Sequence, residues 1–277
     1  MLLAHLSDLH IRARGEKLYD FIDTNALCAR HVAYLNNLRE RPDAVVITGD
    51  ITNCGSAEEY IMARRILSLL DYPVYLIPGN HDNNAQMVDG FTGFARYLGE
   101  DPQAIHYVID DFPVRCVFID SSVDGELHGH IREETLDWLT TILEAQPAQP
   151  TILFMHHHPL PMGCVHMDLI RCLNGEKLLR LLKNFPQVSR IYCGHTHRTI
   201  FHQVDSLIIC TAPSTCHQVP FDTQDPSGFY SLEKPSMLMH RYAEDTGLVS
   251  YVASLEPFDG PFRFDMTDGC PKASGEE

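Results

Sequence analysis

Basic residues are scarce: 21 lysines and arginines stand against 37 aspartates and glutamates, a formal net charge of −16. A field of that sign repels polyanions and argues against a DNA or RNA backbone as partner. A small phosphate ester stays admissible, because two divalent cations in a pocket can outweigh distant surface charge. No apolar stretch approaches the ~20 residues that a membrane-spanning helix requires. Met1-Leu2-Leu3-Ala4-His5 offers no basic region, long apolar run or cleavage site, so a signal peptide is not expected. The expectation is a soluble, cytoplasmic protein that makes no membrane contact. The 9 cysteines include no CxxC pair, which argues against zinc ribbons and thioredoxin-like motifs. Cys116, Cys193 and Cys210 fall inside apolar runs and read as buried thiols. Cys54 and Cys270 lie in polar segments, and a tether between them stays open. Internal repeats of solenoid spacing and low-complexity tracts are also lacking.

What is present is an alternation of strand-like and helix-like segments. Leu2 to Ser7 reads as a buried strand, followed by a helix at about 25–39 that Pro42 closes. Ala44 to Ile47 is a second strand, 57–70 a second helix, and Val74 to Ile77 a third strand. Such spacing marks βαβ units and a parallel sheet. His106–Ile109 and Arg115–Ile119 read as paired strands, and Glu133 to Ala145 as a helix with Leu136, Leu139 and Leu143 on one face. Strands at 151–155 and 189–193 flank a helix at 175–184. Beyond residue 198 the pattern is strands and loops, with strands at 206–210, 236–242 and 248–255. The expected architecture is an α/β sandwich, sheet against sheet with helices outside. Residues 1–200 form the catalytic core, and 201–277 a strand-rich part of the same domain.

Five of the strands run into polar clusters: Asp8-Leu9-His10, Gly49-Asp50, Gly79-Asn80-His81-Asp82, His156-His157 and Gly194-His195-Thr196-His197. Ligands gather at the carboxyl edge of open α/β sheets, so these groups are expected to converge. Singly, each is an ordinary polar turn. In this order they supply carboxylates, imidazoles and one amide, the donor set of divalent metals. Two metals ~3.5–4 Å apart lower the pKa of bound water and clamp the oxygens of an in-line displacement at phosphorus. Asp50, behind a glycine that lets the backbone turn, is the natural bridge. Asp8 and His10, two apart, are expected on one side of an extended segment and so on one metal. His195 and His197 share that spacing and suit either ion. Asn80 adds a neutral oxygen, and His156 completes the set. His81 points elsewhere and is assigned to transition-state stabilisation or leaving-group protonation. Asp82 either holds its imidazole or caps the following helix. His157 is a candidate phosphate contact. His217 is a candidate for the pocket wall, with a packed loop histidine as the alternative. His5, His31, His128, His130, His166, His202 and His240 read as surface or core residues.

The series resembles the calcineurin-like metallophosphoesterases, whose pattern D-x-H, G-D, G-N-H-[DE], H, G-H-x-H is matched throughout residues 8 to 197. Within that family it is similar to the class III cyclic-nucleotide phosphodiesterase branch, and most of all to bacterial two-metal glycerophosphodiesterases. Arg14-Gly15-Glu16-Lys17, Arg39-Glu40-Arg41-Pro42-Asp43-Ala44-Val45-Val46 and Tyr75-Leu76-Ile77-Pro78-Gly79-Asn80-His81-Asp82 carry that likeness, and His217-Gln218-Val219-Pro220 extends it. The resemblance implies a four-layered α/β sandwich with two central mixed sheets flanked by helices. It places Asp8, His10, Asp50 and His197 on one metal, and Asp50, Asn80, His156 and His195 on the other. His81 then lies near the scissile phosphate. Iron, manganese, zinc and cobalt are the metals it implies, and a homo-oligomer built partly through the C-terminal region. His158 departs from the family pattern, where proline is common.

The function expected is hydrolysis of glycerophosphodiesters to sn-glycerol 3-phosphate and an alcohol. The alternative is hydrolysis of 3′,5′-cyclic nucleotides by the same site. Gly49-Asp50-Ile51-Thr52 lacks the Asp-Arg-Gly continuation of the phosphoprotein phosphatases. A non-catalytic scaffold of this fold would be expected to lack metal ligands, and none is missing.

Overall fold

The computed structural model describes residues 1–99, 101–102 and 105–259. Its strands form two mixed sheets. Strands β1 (Leu2–Leu6), β2 (Ala44–Thr48) and β3 (Val74–Ile77) run parallel. Beside β1, on its other edge, lie the antiparallel β10 (Ser236–Ala243) and β11 (Gly247–Ser254). In the second sheet β5 (Arg115–Ile119), β6 (Thr151–Phe154), β7 (Val188–Cys193) and β9 (Leu207–Thr211) are parallel. The antiparallel β4 (His106–Ile109) and β8 (Ile200–Val204) close its two edges.

Alternation along the strands builds the layers. Cys116 and Phe118 of β5 join the core shared with the first sheet, whereas Val117 and Ile119 pack with helices α4 (Glu133–Ala145) and α6 (Gly175–Leu182). Between the sheets Tyr107, Phe118, Phe154 and Tyr192 stack in series, with ring centroids 4.4, 4.9 and 5.5 Å apart. Helices α1 (Thr24–Asn36) and α2 (Ala57–Leu67) add Val32, Leu35, Tyr60 and Leu67 to the first sheet's core. All five residues of β2 are buried, as a parallel strand covered on both faces requires. This is the four-layered α/β sandwich expected. Ser56 and Glu59 form a capping box that starts α2 where the polar run after Asp50 ends.

Four elements escaped the sequence reading: α3 (Asn84–Gly90), a 3-10 turn at Arg96–Leu98, α5 (Val165–Leu169) and β8. The two helices are only 7 and 5 residues long, too short for a helical period to show. Strand β8 alternates half-buried and exposed residues and has no run of β-branched core positions. Cys54 is exposed as a free thiol, and Cys270 lies outside the described residues.

Candidate metal centre

The loops after β1 and β2 are zipped together. Amides of Asp8, His10 and Ile11 donate to the carbonyls of Gly49, Asp50 and Ile51 at 2.9–3.1 Å. Close approach leaves no room for side chains at the glycines. A Cβ on Gly49 would lie 2.4 Å from His156 Nδ1, and one on Gly194 2.0 Å from Ser7 Oγ. Asp8, His10, Asp50, His195 and His197 all have positive φ, between 46° and 68°. That left-handed conformation costs an L-residue roughly 1–2 kcal/mol, and Asp and His tolerate it better than most. The segment Asp8–His10 is therefore not extended, contrary to expectation. Its two side chains converge because both residues are left-handed.

Two groups of donors result. Asp8, His10, Asp50 and His197 place ligand atoms within 4.8 Å of one another. His10 Nε2 lies 3.2 Å from His197 Nε2, which in turn lies 3.2 Å from Asp8 Oδ1. Asp50 faces both groups, with Oδ2 3.7 Å from His10 Nε2 and Oδ1 3.4 Å from His156 Nε2. Asn80 Oδ1 is 3.1 Å from the same His156 nitrogen. His195 stands at the side of this second group, its ring centroid 5.0 Å from that of His156. Its backbone N–H donates to Asp8, and its Nε2 is buried without a hydrogen-bond partner.

On the outer side, the ligand rings are tied to oxygens. Nδ1 of His10 bonds Asn53 Oδ1, that of His156 donates to Thr48 O at 2.6 Å, and that of His197 to His217 O. Metal-binding histidines are held in this way. Burial opposes charge on His156, but Asp50 outweighs it and raises the ring's pKa to about 9. His197 is raised against burial by Asp8, and Asp50 is held well below the usual carboxylate range by His156, His81 and His10. His10 and His195 are pushed down by burial and by neighbouring imidazoles. A cluster that must hold protons to balance its carboxylates is one that divalent cations can occupy by displacing them. The orphaned His195 nitrogen and the converging Asp50 oxygens fit two such ions.

His81 lies beside these groups. Its ring meets that of His10 edge to face at 4.7 Å, and its Nδ1 lies 2.8 Å from the carbonyl of Asn53. Asp82 neither holds that imidazole nor caps α3, whose cap is Asn83. Its carboxylate instead accepts from the amides of Ile51, Thr52 and Gly79 and from the hydroxyl of Tyr60, pinning the second and third loops together. His157 departs from its expected place at the phosphate. It is fully buried, its Nδ1 bonded to Ser121 Oγ and its Nε2 near Leu127 O, so neither nitrogen is free for a substrate. His217 does line the cavity, against His197 at 4.5 Å, with Tyr19 and Tyr230 beyond it. Burial lowers its pKa to about 3 and keeps it neutral. The cavity holds about 260 Å³, and no lysine or arginine lines it among the described residues. Asn53, Tyr60 and Tyr19 were not singled out in the sequence, since each makes its contribution through contacts far along the chain.

A sandwich whose strand ends gather two carboxylates, four imidazoles and an amide, with Asp50 facing both groups, is a metal hydrolase scaffold with a candidate dinuclear site. Residues 1–199 match the calcineurin-like phosphoesterase family, and the chain belongs to it. Over 271 residues it is 48% identical to the glycerophosphodiester phosphodiesterase GpdQ of Enterobacter lignolyticus, covering 98% of this chain and 97% of that protein. It is 29% identical to the 3′,5′-cyclic adenosine monophosphate phosphodiesterase CpdA of Pseudomonas aeruginosa, over 79% of this chain and 77% of that one. Among solved structures, a dimetal phosphatase from Danio rerio shares the fold, with a TM-score of 0.61 and 16% identity over 92% of this chain and 99% of that chain.

Proposed function

We propose that the enzyme hydrolyses glycerophosphodiesters to sn-glycerol 3-phosphate and an alcohol. The observation that carries this reading is the near-full-length likeness to a glycerophosphodiester phosphodiesterase, with every ligand position filled. Asp8, His10, Asp50 and His197 would hold one cation, and Asp50, Asn80, His156 and His195 the other. When bound, two divalent ions supply an activated water and neutralise the phosphoryl oxygens. The pair is drawn from iron, manganese, zinc and cobalt, which this donor set does not separate.

The chain's own groups do the rest. With no lysine or arginine on the cavity wall among the described residues, anchoring of the phosphate falls to the metal centre and its histidines. Asn53 O accepts from Nδ1–H of His81, so in the imidazolium form Nε2–H is the proton left for the departing alkoxide. His217, kept neutral, offers a hydrogen-bonding wall. We assign residues 201–259 to the same domain, a reading supported by the pairing of β10 with β1. The edge strand β11 presents Tyr251 and Val252 outward and serves assembly into a cytoplasmic homo-oligomer.

The test is kcat/KM for glycerophosphoethanolamine and 3′,5′-cyclic AMP, side by side, on manganese-loaded protein. A clear preference for the glycerol diester is expected. The reverse preference would replace this reading with the second one, cyclic-nucleotide hydrolysis, which the likeness to CpdA favours.

A further inference from the structure

Two histidines with no part in the metal centre lie between the sheets, His5 on β1 and His240 on β10, both fully buried. They belong to a continuous chain of polar groups. His5 Nε2 is 2.8 Å from Thr48 Oγ1, and His5 Nδ1 is 3.0 Å from His240 Nε2. His240 Nδ1 is 2.9 Å from Ser250 Oγ on β11, which is 2.8 Å from the hydroxyl of Tyr192 on β7. At the other end Thr48 Oγ1 donates to Ser7 Oγ at 2.9 Å, and Ser7 Oγ lies 3.2 Å from Thr48 O. That carbonyl also accepts from Nδ1 of His156.

Burial keeps both imidazoles neutral, so each carries one N–H and one bare nitrogen. A nitrogen-to-nitrogen link holds a single hydrogen. Fixing one ring's tautomer therefore fixes the other's, and because Thr48 Oγ1 gives its hydrogen to Ser7 Oγ, His5 Nε2 is the donor to Thr48. The far end of the chain agrees. Ser250 Oγ is the hydrogen-bond partner of the Tyr192 hydroxyl among the described residues, so Tyr192 must donate. Ser250 then donates to His240, His240 Nε2–H to His5, His5 Nε2–H to Thr48, Thr48 to Ser7, and Ser7 to Thr48 O. Every hydrogen finds an acceptor. Reversed, Ser250 Oγ would accept from both Tyr192 and His240, and its own hydrogen would have no acceptor between them, an unpaired donor being costly.

We propose that Tyr192, Ser250, His240 and His5 form a one-way hydrogen-bond relay that positions the metal ligand His156, with both relay histidines in the Nε2–H tautomer. The relay clamps Thr48, two residues before Asp50, to Ser7, next to Asp8. Through Thr48 O it sets the angle at which His156 turns Nε2 toward Asn80 and Asp50. It thereby ties the β10–β11 hairpin to the centre. The inference rests on His156 being a metal ligand and is independent of which diester is cleaved.

The test uses the full chain, metal-free and 15N-labelled at histidine. Ring-nitrogen NMR, assigned with His5→Gln and His240→Gln, reads the tautomers directly. Calorimetric titration with manganese alone reads the two sites. Nε2–H is expected at both rings of the unaltered protein, with mixed tautomers in Thr48→Val, where the acceptor for His5 Nε2–H is gone. His240→Leu should weaken one of the two manganese sites by about 10-fold, the low end of what losing a ligand's supporting partner costs, because Thr48 O itself stays in place. His240→Gln, which can accept at Oε1 and donate at Nε2, should restore most of it. An Nδ1–H tautomer at His5 overturns the proposal, as does unchanged manganese affinity in folded His240→Leu. Should that variant fail to fold, Thr48→Val decides: single, unchanged tautomers there would end the case. None of these readouts uses a phosphodiester, so a wrong substrate assignment leaves them intact.

Discussion

Asp50 fills the space that a side chain on Gly79 would need: a Cβ there would lie 2.2 Å from Asp50 Oδ1 and 2.4 Å from Asp50 N. Gly79 has ordinary φ, so its constraint is this contact and not backbone conformation. Gly79→Ala should therefore push the shared carboxylate aside. A displacement of about 1 Å at a reacting centre costs on the order of 10²-fold in rate. The expected result is a folded protein with kcat down by that order and fewer than two metals per chain by elemental analysis. Full occupancy with normal kcat would mean that Asp50 does not bridge.

Asn80 and Asp50 are the residues that would tell the two proposed metal sites apart. Asn80 Oδ1 approaches His156 and not the Asp8 group, whereas Asp50 reaches both. Asn80→Ala is expected to retain one tightly held metal and Asp50→Ala neither, each with activity reduced by orders of magnitude and thermal unfolding still cooperative. Equal metal loss in the two variants would show that the groups are not distinct sites.

His81 is fixed by Asn53 O and lies on the cavity wall without a place in either donor group. If it protonates the leaving oxygen, its removal matters most when that oxygen is strongly basic. His81→Ala should lower kcat about 10²- to 10⁴-fold on glycerophosphodiesters, and much less on a p-nitrophenyl diester whose leaving group needs no proton. Equal losses on both substrates would make it a binding residue.

The donors of the site were legible because each cluster follows a short, largely apolar run, the pattern of a buried strand end in a parallel sheet. Asp50, Asn80, His156 and His195 thus fall at one sheet edge on the sequence pattern alone. How they converge is not legible there. The left-handed φ of Asp8 and His10 comes from the bonds to Gly49 and Asp50, contacts some forty residues away. Asp82 was misplaced for the same reason: its partner Tyr60 lies on the buried face of α2, where a tyrosine reads simply as core. His157 reads like His156 in sequence, yet alternation along the chain turns it toward Ser121 and out of the cavity.

The buried relay has a consequence for acid stability. Burial lowers His5 from 6.5 to about 3, while the unfolded chain keeps an ordinary imidazole. Between those two values the unfolded state binds one more proton than the folded state, so stability rises with pH across that window and falls on acidification. Above pH 6.5 the ring is neutral in both states and contributes no slope. Below it, His5 alone should remove up to about 1.4 kcal/mol per pH unit, and His240, also pushed well down by burial, acts in the same direction. Urea unfolding of metal-free protein at pH 7, 6 and 5 measures the slope. His5→Gln keeps a donor toward Thr48 but cannot titrate, so it should be less stable at pH 7 and lose stability less steeply toward pH 5. An unchanged slope would mean that His5 takes up its proton in the folded state, and such a ring could not hold the relay in one direction.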